Sequence, residues 1–167
     1  MNDQVLRSNL IRLANENPEL RPHLIPLLKQ ALGKISPTAF VGDRAQVSRN
    51  AKVLDSARVE GSCVLADSAR VSGQAQIAGA ARVSGDAQVS ERAQVSGKSA
   101  VYGNAHVSGG AQIAGAARIF GDAYVGGSAL VSGRARIGGR AVILGGTWDG
   151  SEGEITSGRW KAPGVPA

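Results

Sequence analysis

The sequence predicts an all-β solenoid, a coil of short parallel strands, and three observations carry that prediction. An aliphatic residue recurs at every sixth position from Val41 to Ile143, eighteen times in one phase. Two positions before almost every one stands Ala, with Cys63 and Ser99 as the substitutes inside the array. The bulky apolar residues of the array are nearly all β-branched, and the whole chain of 167 residues holds only two Trp, two Tyr and two Phe. A period of six with one bulky and one tiny apolar position marks a coil that repeats in small increments. A conventional two-layer core would need larger side chains, whereas a thin repeating core does not.

At the N-terminus, residues 4–15 place Val5, Leu6, Leu10, Ile11 and Leu13 largely on one side at helical spacing, with Asp3 positioned as N-cap. Asn17-Pro18 interrupts this pattern, and Arg21-Pro22 sets extended geometry before the next run. Leu24, Ile25, Leu27, Leu28 and Leu32 form a second apolar stripe that Gly33 terminates. Residues 1–35 are therefore expected to be a helical hairpin too small to fold alone. Its apolar face, with Leu10, Ile11, Leu24, Leu27 and Leu28, must cap the coil or dock elsewhere. Residues 36–40, with Ser36-Pro37-Thr38, are the expected joint.

Residues 41–144 are the repeats, with units such as Val-Ser-Gly-Asp-Ala-Gln at 83–88. Ala-Gln-Val-Ser alternates like a strand, Ala and Val facing one way and Gln and Ser the other. Ser-Gly-Asp then supplies a corner, where Gly takes backbone angles that other residues resist. Residues 145–167 are expected to close the far end, with Thr147-Trp148 and Ile155 to Trp160 forming a small hairpin that lays two Trp rings over the last turn. Both ends of such a coil expose backbone and core, so each needs a cover.

The formal net charge is +6 and divides as +2 over residues 1–40, +5 over 41–144 and −1 over 145–167. The excess is spread among Gln, Ser and Asp, with no basic block. A single cysteine, Cys63, excludes an internal disulfide and suits a reducing compartment. Its slot is otherwise Ala, which favours a buried small residue over a nucleophile. Asp3, Arg7 and Arg12 interrupt the N-terminal apolar pattern, so neither a secretory signal nor a membrane span is expected. Cytoplasm is the default location.

Val83, Ser84 and Ala87, and likewise Ile113, Ala114 and Ala117, follow the pattern of an aliphatic, a small, two free, a small and a free residue. In this the chain resembles the hexapeptide-repeat, left-handed parallel β-helix family, over about two-thirds of its length. The resemblance implies three hexads to a triangular turn, so residues 18 apart stack. Eighteen hexads then give about six turns, roughly 29 Å long at about 4.8 Å between stacked strands. Family members commonly trimerise through their walls, which makes a parallel homotrimer the expected assembly.

Stacking by 18 assigns the outer surface. One wall carries Gln76, Gln94 and Gln112, flanked by Arg58 and Leu130, a column whose amides are placed to hydrogen-bond along the axis. A second stacks Arg82, Ala100, Arg118 and Arg136 beside Ser84, Tyr102, Phe120 and Gly138. Aromatics beside Arg are typical of partner contacts. The third stacks Arg70, Gln88, His106, Tyr124 and Val142. Candidate partner-contact residues are thus Tyr102, Phe120, Tyr124, Arg82, Arg118 and Arg136.

The resemblance also implies an activity: many family members are acyltransferases in which one His acts as general base on an acceptor that attacks an acyl thioester. Here that residue is His106, with an acyl-CoA-type donor as the implied cofactor. Such enzymes usually carry a protruding loop that encloses substrate, and this array has no insertion. Carbonic anhydrases of the fold use three His ligands, whereas this chain has only His23 and His106, so no metal is expected. Ice-binding versions rely on Thr ladders, and Thr38, Thr147 and Thr156 all lie outside the array. Gly97-Lys98-Ser99 imitates the end of a phosphate loop, but the earlier Gly would be at 92, which is Arg.

Residues 10–29 are similar to leader segments on assorted phage-encoded or bacterial proteins, which implies a docking peptide and, for a phage protein, a place in the virion. The leading expectation is a non-enzymatic rod that presents rigid walls for assembly, with no cofactor. An acyltransferase is the alternative, and a basic rod that binds nucleic acid is the second alternative.

Overall fold

The computed structural model describes residues 12–13, 16–23, 34–163 and 165–166. From Lys34 onward the chain is a parallel β-solenoid, in which two-residue strands separated by corners build three sheets of nine, seven and seven strands. Strands pair in parallel with partners 18 residues away, as Gln88–Val89 does with Arg70–Val71 on one side and His106–Val107 on the other. Three strands make a coil; two walls stack seven parallel strands and the third eight, so the rod has about seven coils.

The alternation read from the repeats decides which atoms fill the interior. In Ala93-Gln94-Val95 the Ala and Val are fully buried while Gln94 is exposed, and the same holds through Ala111-Gln112-Ile113. Amides on each coil donate to carbonyls on the next, with Gln94 N to Ala111 O at 2.9 Å and Ser96 N to Ile113 O at 2.8 Å. A parallel ladder of this kind satisfies the backbone along the axis, leaving the side chains only the work of filling a thin core. Both substitutes for Ala solve their polarity in the same way. Cys63 Sγ donates to Glu60 O at 2.9 Å and Ser99 Oγ donates to Ser96 O at 2.7 Å, each to the carbonyl three residues back.

Corners need a residue with positive φ, and Gly97 (φ 71°) shows why glycine dominates there. A Cβ at Gly97 would lie 2.7 Å from the carbonyl oxygen of Gly115 on the next coil. Three corners instead hold Asp55, Asp67 and Glu91 at φ 56°, 56° and 60°. Each carboxylate accepts from the corner amide one coil along: Gly73 N at 2.8 Å, Gly85 N at 2.9 Å and Gly109 N at 2.8 Å. That charge-assisted bond offsets the strain of a side chain in the left-handed region.

The expected six turns become about seven because the coil runs past both predicted limits. Lys34–Ile35 pairs with Lys52–Val53, and Phe40–Val41 pairs with Arg58–Val59, so the predicted joint already belongs to the first coil. Ile35 stands six residues before Val41 and continues the phase. At the far end the expected separate hairpin is not formed. Thr147–Trp148 pairs in parallel with Leu130–Val131, Glu154–Ile155 with Arg136–Ile137, and Arg159–Trp160 with Val142–Ile143.

Trp148 takes the place of an inward aliphatic and is 2% exposed, with its Nε1 donating to Gly145 O at 2.8 Å. Trp160 meets it edge to face at 6.5 Å between centroids. The two indoles therefore do cover the last regular coil, as inward residues of a further one. Val165–Pro166 adds an antiparallel strand against Trp160–Ala162.

Before the solenoid, Pro18–Leu20 form a 3-10 turn, and Arg12 pairs with Glu16 at 3.7 Å one helical turn apart. Leu10, Ile11, Leu24, Leu27 and Leu28, the expected docking residues, lie outside the described residues. Among the described residues no helix is long and apolar enough to cross a membrane.

Candidate functional site

The predicted stacking places the Arg and aromatic columns side by side on one wall. Arg82, Ala100, Arg118 and Arg136 follow one another in register. Beside them the rings of Tyr102 and Phe120 stack at 5.5 Å and 12°. The Phe120 ring extends along the axis over Gly138, where a Cβ would come within 2.3 Å of it. Arg136 holds its guanidinium carbon 5.5 Å from the Phe120 centroid while its Nε donates to Glu154 Oε2 at 2.7 Å. Cation–π and ion-pair contacts thereby fix the far end of this patch.

Next to it, across the corner, an open depression of about 360 Å³ is lined by Ala116, Arg118, Arg134 and Arg136. Arg134 is a residue that the reading of the walls passed over, because it belongs to the corner column. Its signal was available in the spacing, since 134 is 18 beyond Ala116 and two before Arg136.

His106 lies half-buried on the neighbouring wall between Gln88 and Tyr124. Its Nε2 is 3.2 Å from Ser90 Oγ, and the Tyr124 ring meets it edge to face at 5.5 Å and 77°. Tyr124 Oη in turn lies 2.7 Å from Ser108 Oγ. Both side chains reach the serine sixteen residues earlier, so they lie along the surface instead of projecting from it. Tyr124 also covers Gly126, where a Cβ would come within 2.5 Å of the ring. Among the described residues no carboxylate contacts His106, and the hydrogen bond it makes is to a hydroxyl.

Tyr102, Phe120, Arg118 and Arg136 are thus gathered on one face, with Arg82 further down the same column, while Tyr124 belongs with His106. The glutamine column is also in register, Gln76 with Gln94 with Gln112. No side-chain hydrogen bond joins these amides, so the column is a stack without the expected amide ladder. Phe40, at the start of the same wall, is 50% exposed and covered in part by Arg58 at 5.3 Å.

Cys63 is buried, and burial pushes its thiol up from the ordinary value. It is thus kept protonated and inert, as its small-residue slot implied. Among the described residues no group of three or more His, Cys, Asp or Glu is placed to hold a metal ion. Comparison with protein-family models, curated proteins and solved structures finds no match to the chain.

Proposed function

We propose that the chain is a structural β-solenoid of the left-handed hexapeptide-repeat kind, a rigid rod whose outer walls are contact surfaces in a protein assembly. The observation that carries this reading is the unbroken 18-residue pairing from Lys34 to Ile143. No loop projects between coils to enclose a substrate, so the walls themselves are what the molecule offers. A self-assembled trimer, with the Tyr102 and Phe120 face covered by a neighbouring chain, is the favoured state. Stacked aromatics with an adjacent Arg are the surface chemistry that interfaces concentrate.

Solution mass from light scattering tests this directly. Three chains per particle, falling to one or two in Phe120→Asp with the circular dichroism unchanged, is the expected result; a wild-type monomer at micromolar concentration would remove the assembly reading. The acyltransferase reading places the general base at His106 and an acyl-CoA-type donor against it. The contact of His106 with Ser90 and Tyr124 favours a packing role instead. Thioester consumption by wild type that is lost in His106→Ala would overturn the scaffold proposal.

A further inference from the structure

We infer that the depression bounded by Ala116, Arg118, Arg134 and Arg136 is a binding site for an oxyanion, a phosphoryl or sulfuryl group. It is lined by residues of one chain, two of which, Arg118 and Arg136, lie on the face proposed above as an interface.

The argument begins with charge. Arg118 and Arg136 are direct ladder partners, so two like charges occupy adjacent rungs at roughly 4.8 Å strand spacing. Like charges facing each other across a sheet are destabilising. Arg134 adds a third cation at the same depression. Only Arg136 has an acidic partner, Glu154; neither Arg118 nor Arg134 makes an ion pair among the described residues. An arginine side chain stays protonated throughout the working pH range, so the repulsion is not relieved by loss of a proton. A bound anion relieves it.

Shape supports the same conclusion. Ala116 sits one coil below Arg134 in the corner column, and its methyl leaves open the space that a longer side chain would fill. Arg118, Arg134 and Arg136 line that gap together with Ala116. Arg136 is held in place by Glu154 through Nε and by the Phe120 ring. Planar forks of N–H donors around a gap suit a tetrahedral oxyanion, which accepts several such bonds at once. The aromatic rings lie beyond Arg136 and are not needed for an anion of this size.

The test is a titration of the full chain with inorganic phosphate and, separately, with sulfate, followed by NMR of the arginine Nε–Hε signals. Chloride at matched ionic strength is the control for screening. Saturable shifts confined to Arg118, Arg134 and Arg136 are expected. Arg134→Gln should weaken binding about fivefold. Ala116→Glu, which places a carboxylate in the gap without removing any arginine, should abolish it. Both positions are exposed, and an unchanged melting temperature shows that the fold is retained. A preference for phosphate or for sulfate then distinguishes a phosphoryl from a sulfuryl ligand. Equal shifts in chloride, shifts shared with Arg44, Arg49 and Arg92, or unaltered binding in Ala116→Glu would each overturn the proposal. So would retention of a single-stranded oligonucleotide that survives Ala116→Glu and is lost in Tyr102→Ala, which would make the aromatic face a nucleic-acid platform.

Discussion

Alanine at the position two before each inward aliphatic is a steric requirement, because three walls converge there and leave space for a methyl. Ala87 and Ala105 are both fully buried on successive coils. Replacing either by Leu overpacks the core and should destabilise by about 1–3 kcal/mol, measured by urea unfolding. Cys63→Ala should change stability by less than about 1 kcal/mol, since neighbouring coils carry Ala in that slot and the thiol is a weak donor, at 2.9 Å to Glu60 O and 3.7 Å to Gly79 O. These slots were readable in the sequence because their period never varies. The carboxylates of Asp55, Asp67 and Glu91 were not, because the strain at a corner is visible only in φ, and their amide partners lie a whole coil away.

Among the elements, the aromatic wall and the terminal coil behave differently. Gly138 is buried by the Phe120 ring, not by backbone, so a side chain there displaces a movable group. Gly138→Val should therefore cost under about 1 kcal/mol, yet abolish the near-UV dichroism of the Tyr102–Phe120 stack. A large loss of stability would mean that the ring is locked. Trp148 is the opposite case: it fills the interior of the last coil, and Trp148→Ala should cost about 3–5 kcal/mol, with amide exchange rising first beside Leu130 and Val131.

The terminal coil escaped sequence reading for a physical reason. Its inward residues Trp148, Ile155 and Trp160 follow Ile143 of the coil before at steps of five, seven and five, so corners of unequal length hide a wall order that the ladder still enforces. Ile35 escaped because the proline at 37 suggested a joint, although proline fits a corner as well as a linker. The wall columns were legible from spacing alone, whereas the direction of each ring was not: Phe120 and Tyr124 lean where a glycine leaves room, at 138 and 126.

At the scale of the molecule, each coil touches only its neighbours, so stability is a sum of nearly equal coil terms. Removing residues 88–105 joins Ala87 to His106 in phase and deletes one coil. Such a protein should melt cooperatively at a modestly lower temperature and be shorter by roughly 4.8 Å. Removing residues 88–96 instead joins Ala87 to Gly97, puts polar residues in the interior and should abolish the cooperative transition followed by circular dichroism. Comparable melting of the two deletions would contradict a core built on the six-residue phase.

Because every hexad advances the chain by one wall, loss or gain of a single hexad would keep the core filled while re-clocking everything beyond it by a third of a revolution. Surface features upstream and downstream, Arg82 and Arg118 for instance, would then look out in different directions. A shaft of this design can be lengthened without losing its alignment only in whole revolutions, so its length is a quantised trait, adjustable in steps of eighteen codons.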